Sequence, residues 1–303
     1  MENNLNLNIS KLELWSGKWK LSFNAKKTVY MTFSSVGSSP NLSLMLNNSQ
    51  LQRVGSNKHL GLFFDENLTW TDHVSYICKK VSKKLGLLYK NKNVFNRVTL
   101  IRLYKSMILP VIDYGSVVYD SLSLQQSNKI ENLQRRAAII CSGAHPRTET
   151  NKLLSDLGWM HLKDRRIYLK RTYFYKIFVN ASPPYLNADL MDLIRNPKVR
   201  DTRRSKEGKL YQPKWKKTKY RASFFLSAIV DWNGLSVDLV RVDSLNKLKK
   251  YLNEKFIIDD RVLFYNTIVG KGTKLLTQIR LGLSPLKAHL FAYNIGENPF
   301  CQC

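Results

Sequence analysis

Acidic residues are scarce in this chain: 22 Asp and Glu stand against 49 Lys and Arg, for a net charge of +27 at pH 7. A molecule so charged repels itself unless a polyanion neutralises it, which makes RNA, DNA or an RNA/DNA hybrid the economical partner. Long apolar runs are absent as well. No stretch approaches the roughly 18 apolar residues a membrane span needs, so no membrane partner is expected. Met1 to Ser16 lacks the basic-then-apolar layout of a secretion signal, which points to an intracellular protein, in nucleus or cytoplasm, rather than a secreted one. Cysteine is sparse, with four residues, as suits a reducing compartment. Cys78 and Cys141 lie within apolar helical patterns and read as small core residues. There is no Gly-rich phosphate loop, dinucleotide fingerprint or Ser/His/Asp set. His73, His145, His161 and His289 show no ligand-like spacing, and no internal repeat is found.

What is present can build a core. Apolar residues make up 44% of the chain and include 15 Tyr, 13 Phe and 6 Trp, so disorder throughout is excluded. Leu5 to Trp15 reads as a short helix. Val29, Met31 and Phe33 alternate with polar neighbours at the period of a half-buried strand, as do Leu42, Leu44 and Leu46. Asn47-Asn48 suits a hairpin turn, and His59 to Phe64 is a further short apolar run. Beyond residue 70 the period becomes helical. Val74, Ile77, Val81, Leu85 and Leu88 form one stripe, and Leu100, Leu103, Met107 and Ile108 a second, which Pro110 should kink or end. Ile130, Leu133, Ala137 and Ile140 form a third, stopped by Gly143. Leu153–Leu157 and Leu162–Val179 follow, before Ser182-Pro183-Pro184 breaks the pattern. Helical patterning returns at Phe224–Trp232 and at Ser244–Phe256, with Ser244 as N-cap. A last helix is expected from Ser284-Pro285 to about Gly296. The fold class is therefore α+β. A small antiparallel sheet unit (1–70) precedes a mainly helical domain (71–180), a basic linker (181–222) and a helical C-terminal unit (223–303).

Between His73 and Ile112 there is no acidic residue, whereas Lys79, Lys80, Lys83, Lys84, Lys90, Lys92, Arg97, Arg102 and Lys105 all fall there. On the first long helix, Lys79/Lys80 and Lys83/Lys84 lie on a different face from the apolar stripe. One face can pack while the other meets solvent or phosphate. Like charges four apart repel unless something neutralises them, and the missing Glu/Lys alternation favours phosphate over a merely solvated face. A second basic run, residues 195–221, includes Arg203, Arg204, Lys214, Lys216, Lys217, Lys219 and Arg221, interleaved with Tyr211, Trp215 and Tyr220. Those aromatics suit either stacking of unpaired bases or anchoring of the segment to the protein. Contacts of this kind predict strongly salt-dependent, weakly specific binding.

Several phrases, in order, resemble the C-terminal part of reverse transcriptases from metazoan non-LTR (LINE-type, jockey-like) retrotransposons. They begin with Trp19-Lys20-Leu21, Asn24-Ala25-Lys26-Lys27-Thr28 and Met31-Thr32-Phe33, then His59-Leu60-Gly61-Leu62-Phe63-Phe64-Asp65 with Leu68-Thr69-Trp70. Leu103-Tyr104-Lys105-Ser106, Leu109-Pro110 and Asp113-Tyr114-Gly115 come next. Leu133-Gln134-Arg135-Arg136-Ala137, Leu157-Gly158-Trp159 and Arg165-Arg166 lead on to Asp231-Trp232-Asn233-Gly234-Leu235. The resemblance implies a palm remnant followed by a thumb-like helical domain that grips a primer–template. It also implies that Lys27 matches a lysine near the incoming nucleotide, with Asn24 and Thr28 shaping its loop.

The same resemblance places the family's catalytic aspartates upstream of Asn24, and Met1 to Phe23 contains no Asp. Nucleotidyl transfer needs carboxylates holding two metal ions, so this chain is expected to be a fragment, inactive alone, with an upstream polymerase segment as a possible partner. No cofactor is expected, although the parent activity would need Mg²⁺. Asp259-Asp260, after Ile257-Ile258, has no partner Asp motif and reads as an acidic cap after a helix. Cys301 and Cys303 form half of a zinc set, and zinc is expected only if the chain continued past Cys303. Two other readings stay open: an active reverse transcriptase whose gene model is incomplete, and a recruited basic scaffold protein.

Overall fold

A computed structural model of the chain describes residues 2–33, 41–195, 209–240, 242, 244–256 and 281. The chain divides into two compact units, Met1–Tyr76 and Ile77–Cys303. The α+β expectation holds, with helices predominant.

In the first unit, α1 (Glu2–Lys18) extends beyond both ends of the expected helix. It packs through Ile9 on a small core of Leu44, Leu46 and Leu51. Asn6 fixes this docking, because its amide donates to the Ser43 carbonyl (2.9 Å) and accepts from the Met45 N–H (3.0 Å). Strands β2 (Met45–Leu46) and β3 (Ser49–Gln50) pair antiparallel. The turn between them is the expected Asn47-Asn48, both left-handed at φ 47° and 57°, a conformation asparagine tolerates. Leu44 and Leu46 are buried while Met45 faces out, as the alternation predicts.

The described strands form three separate two-stranded ladders rather than one sheet, and they are not all antiparallel. Strands β1 (Val29–Tyr30) and β4 (Gln52–Arg53) run parallel. The apolar run His59–Phe64 is also not one strand. It folds in half between β5 (Ser56–His59) and β6 (Leu62–Asp65), at a Leu60-Gly61 turn with φ 46° and 87°.

Helix α2 (Thr71–Lys90) begins in the first unit and continues into the second. Its stripe Val74, Ile77, Val81, Leu85 and Leu88 is buried throughout. Helix α3 (Arg97–Leu103) starts at Asn96, whose side chain accepts from the Thr99 N–H. The expected break at Pro110 takes an unexpected form. Proline has no N–H to offer and its ring crowds the carbonyl one turn back, and the helix widens to a π turn over Tyr104–Ile108 before α4 (Leu109–Asp113). The wider turn re-phases the stripe: Tyr104, Ile108 and Ile112 are buried and Met107 is exposed.

Helix α5 (Leu124–Ser142) opens with a Ser123/Gln126 capping box and stops at Gly143, φ 70°. Helix α6 (Thr150–Leu157) stops at Gly158, φ 61°. Next come α7 (Leu162–Phe178), α8 (Pro184–Ile194), the single turn α9 (Thr218–Arg221), α10 (Phe224–Asn233), α11 (Val237–Val240) and α12 (Leu245–Phe256). Helix α8, inside the stretch the sequence suggested as a linker, sends Leu190 into a shared core with Phe174, Tyr175, Trp232, Leu248 and Leu252. Ser244 caps α12, its hydroxyl accepting from the Asn246 N–H. The helix expected at 284–296 lies outside the described residues.

Candidate nucleic-acid interface

The buried stripe of α2 dictates where its lysines go. Lys79, Lys83 and Lys90 recur at four and seven residues, so they line one side of the helix, opposite the stripe, at about 1.5 Å of rise per residue. All three are exposed, as is Lys80 beside them. After Asp72 the helix carries no acidic residue.

The other expected cations divide. Arg102 and Lys105 are exposed on α3 and the π turn. Lys84 is half-buried and donates to the Met107 carbonyl at 2.8 Å, which occupies its ammonium in joining α2 to the π turn. Lys92 sits 3.9 Å above the Tyr89 ring. Arg97 leaves the surface set altogether: it is buried, and its guanidinium donates to the Asp156 carboxylate (2.8 Å) and carbonyl (2.9 Å). An arginine at the start of a short helix looked like a surface cation, whereas the fold spends it as an interior pair.

In the second basic run, Lys214, Lys216, Lys217, Lys219 and Arg221 are exposed. The Arg221 guanidinium lies 5.2 Å from the Trp215 ring centre, so one face of that indole already holds a cation. Tyr211 and Tyr220 are exposed. The strip is pinned at its start, because the Asn233 amide accepts from the Leu210 N–H (2.8 Å) and donates to the Leu210 carbonyl (2.9 Å). Arg203 and Arg204 lie outside the described residues, as do Asp259, Asp260, Cys301 and Cys303.

Asn24, Lys27 and Thr28 come together as a capped single turn. The Asn24 side chain accepts from the Lys27 N–H (3.2 Å), the Thr28 hydroxyl donates to the Asn24 carbonyl (2.9 Å), and the Lys27 side chain is exposed.

The scarce acids do architectural work that the sequence reading missed. Asp65 accepts from the backbone N–H groups of Asn67, Thr69 and Trp70 and from the Thr69 hydroxyl. It thereby holds a turn in which Leu68 and Trp70 have positive φ. Asp113 receives a two-pronged contact from Arg165, at 2.8 and 2.6 Å. Lys170, buried, donates to Asp120 (2.7 Å) and lies 2.8 Å from Asp231. Burial alone would lower the Lys170 ammonium, but Asp120 and Asp231 outweigh it and hold its pKa up. Trp159 stacks on Tyr104 with ring centres 4.0 Å apart, and Gln134 donates to the Met160 carbonyl. A signal was available: in so basic a chain, an acid inside an ordered phrase has cations to pair with.

Cys141 is buried and Cys78 half-buried; burial pushes both thiols up, Cys141 to about 12. Both are therefore protonated at neutral pH, as befits packing residues. Among the described residues, no three His, Cys, Asp or Glu side chains group as a metal site, and no helix is long and apolar enough to cross a membrane.

Comparison with known proteins finds RNA-directed DNA polymerases of mobile elements. One, from the mobile element jockey of Drosophila melanogaster, is 26% identical over 178 residues, covering 57% of this chain and 19% of that protein. The jockey polymerase of Drosophila funebris is 25% identical over 167 residues, covering 54% and 18%. The chain spans less than a fifth of the length of these relatives. No family model and no solved structure matches. The two similarities support a jockey-like non-LTR retrotransposon reverse-transcriptase region.

Proposed function

We propose that this chain binds RNA, DNA or RNA/DNA duplexes without sequence preference, as the gripping part of a retrotransposon RNA-directed DNA polymerase. On this reading residues 71–180 act as a thumb and residues 1–70 as the end of a palm, with Lys27 presented toward an incoming nucleotide in the whole enzyme. The observation that carries it is the row of exposed lysines on α2, Lys79, Lys83 and Lys90, in a chain similar to such polymerases. A helix loaded with one sign of charge is stabilised by phosphate, since neutralisation removes the repulsion between neighbours four apart. Asp65, Asp113, Asp120, Asp156 and Asp231 are each tied to backbone amides or to a buried or half-buried cation. In the proposal, catalysis belongs to other carboxylates of such a polymerase, together with Mg²⁺.

The test is filter binding of an RNA/DNA hybrid by the full chain across a salt series. Each neutralised phosphate contributes about 0.7–0.9 to the slope of log affinity against log salt. The triple substitution Lys79→Glu, Lys83→Glu, Lys90→Glu should lower that slope by about two or more and weaken all sequences alike. Affinity indifferent to salt would overturn the proposal and favour a protein-binding scaffold.

A further inference from the structure

The lysine row does not account for a second feature of the same region. Where the end of α2 meets α3 and the π turn, six apolar side chains, Leu87, Leu88, Phe95, Leu103, Met107 and Ile108, line an open groove. Lys84 and Asn91 also line it, and the Lys84 ammonium donates to the Met107 carbonyl. Three of the six are large and face solvent: Leu87 is 57% exposed, Met107 42% and Phe95 40%. The π turn makes this opening, because it rotates Met107 out of the helix stripe and leaves Ile108 as floor. Contiguous exposed apolar surface rimmed by polar residues marks an interaction site, and flexible methionine suits a groove that adapts to its occupant.

We propose that this groove docks an acidic amphipathic helix of a partner protein. Two observations choose that occupant. The lining is apolar apart from Lys84 and Asn91, which gives apolar side chains at helical spacing a place to insert but offers bases only Phe95 to stack on. The groove has Lys84 on its lining, exposed Arg102 and Lys105 on the elements facing α2, and no acidic residue between His73 and Ile112, so the complement of the rim is a carboxylate-rich flank. The inference stands independently of nucleic-acid binding, since it uses the apolar floor rather than the phosphate-facing lysine row.

The experiment measures fluorescence anisotropy of a labelled synthetic helix with Leu and Phe on one face and Glu on the other, added to the full chain. A control peptide replaces the apolar face with Ser, and a single-stranded oligonucleotide is titrated in parallel. Leu87→Lys and Met107→Lys each replace an exposed apolar group while keeping the rim basic, and circular dichroism with a thermal melt confirms folding. The apolar peptide should bind, the Ser peptide should not, and each substitution should weaken peptide binding about tenfold, the effect of losing one well-buried apolar contact. Oligonucleotide affinity should not fall. Equal binding of both peptides, binding untouched by both substitutions, or no binding would overturn the proposal. Loss of oligonucleotide binding in the same variants would do so too, by making the groove a nucleic-acid surface.

Discussion

Arg97 and Asp156 show what one side chain can carry. Both are buried, at 5% and 1% side-chain exposure. Arg97→Met removes a charge and strands the Asp156 carboxylate in the interior, which costs about 3–5 kcal/mol for a broken buried pair. Urea unfolding monitored by far-UV circular dichroism should show that loss as a lowered midpoint. His73 offers a finer probe. It is buried on α2, and its Nδ1 accepts from the Phe63 N–H at 3.4 Å, so the fold uses the neutral ring. Burial, reinforced by the Lys58 charge, lowers its pKa below 6.5. In the sign that follows, the unfolded chain takes up this proton first. The contribution is therefore intact above 6.5 and is lost as pH falls through that value. Melting temperatures followed from neutral pH downward should decline, and the decline should be shallower in His73→Asn. An unchanged slope would remove His73 from the account.

Short elements depend on particular caps and turns. Asp65→Ala deletes the acceptor for three backbone amides and one hydroxyl. Most of these donors can turn to water, so at roughly 0.5–0.75 kcal/mol for each lost bond the first unit should be destabilised by roughly 2–3 kcal/mol. Hydrogen exchange at Thr69 and Trp70 would report it. These elements also show how legible the sequence was. The α2 stripe, the Asn47-Asn48 turn, the Gly143 stop and the Ser244 cap were readable because each depends on local chemistry or a simple period. The parallel pairing of β1 with β4 was not, since strands of two residues carry no pattern that specifies a partner. The π turn also escaped, because proline signals that a helix is perturbed without saying whether it ends or widens. Among candidate binding residues, exposed Lys79, Lys83 and Lys90 followed from helix geometry. Arg97 and Lys84 did not, because their partners, Asp156 and the Met107 carbonyl, are distant in sequence.

At the scale of the whole molecule, a net charge of +27 opposes compaction. A ligand that binds only the folded form stabilises it by mass action, and a polyanion also removes the repulsion. Adding a short RNA/DNA hybrid should therefore raise the melting temperature at low salt, and the increment should shrink as salt is added. A uniform increment at every salt concentration would count against phosphate contacts. The few acids have a further consequence. The Asp113–Arg165 and Asp120–Lys170–Asp231 ties each join residues far apart in the chain. A scaffold held by so few acids would erode in steps: changing one tethered position releases the opposite one to drift.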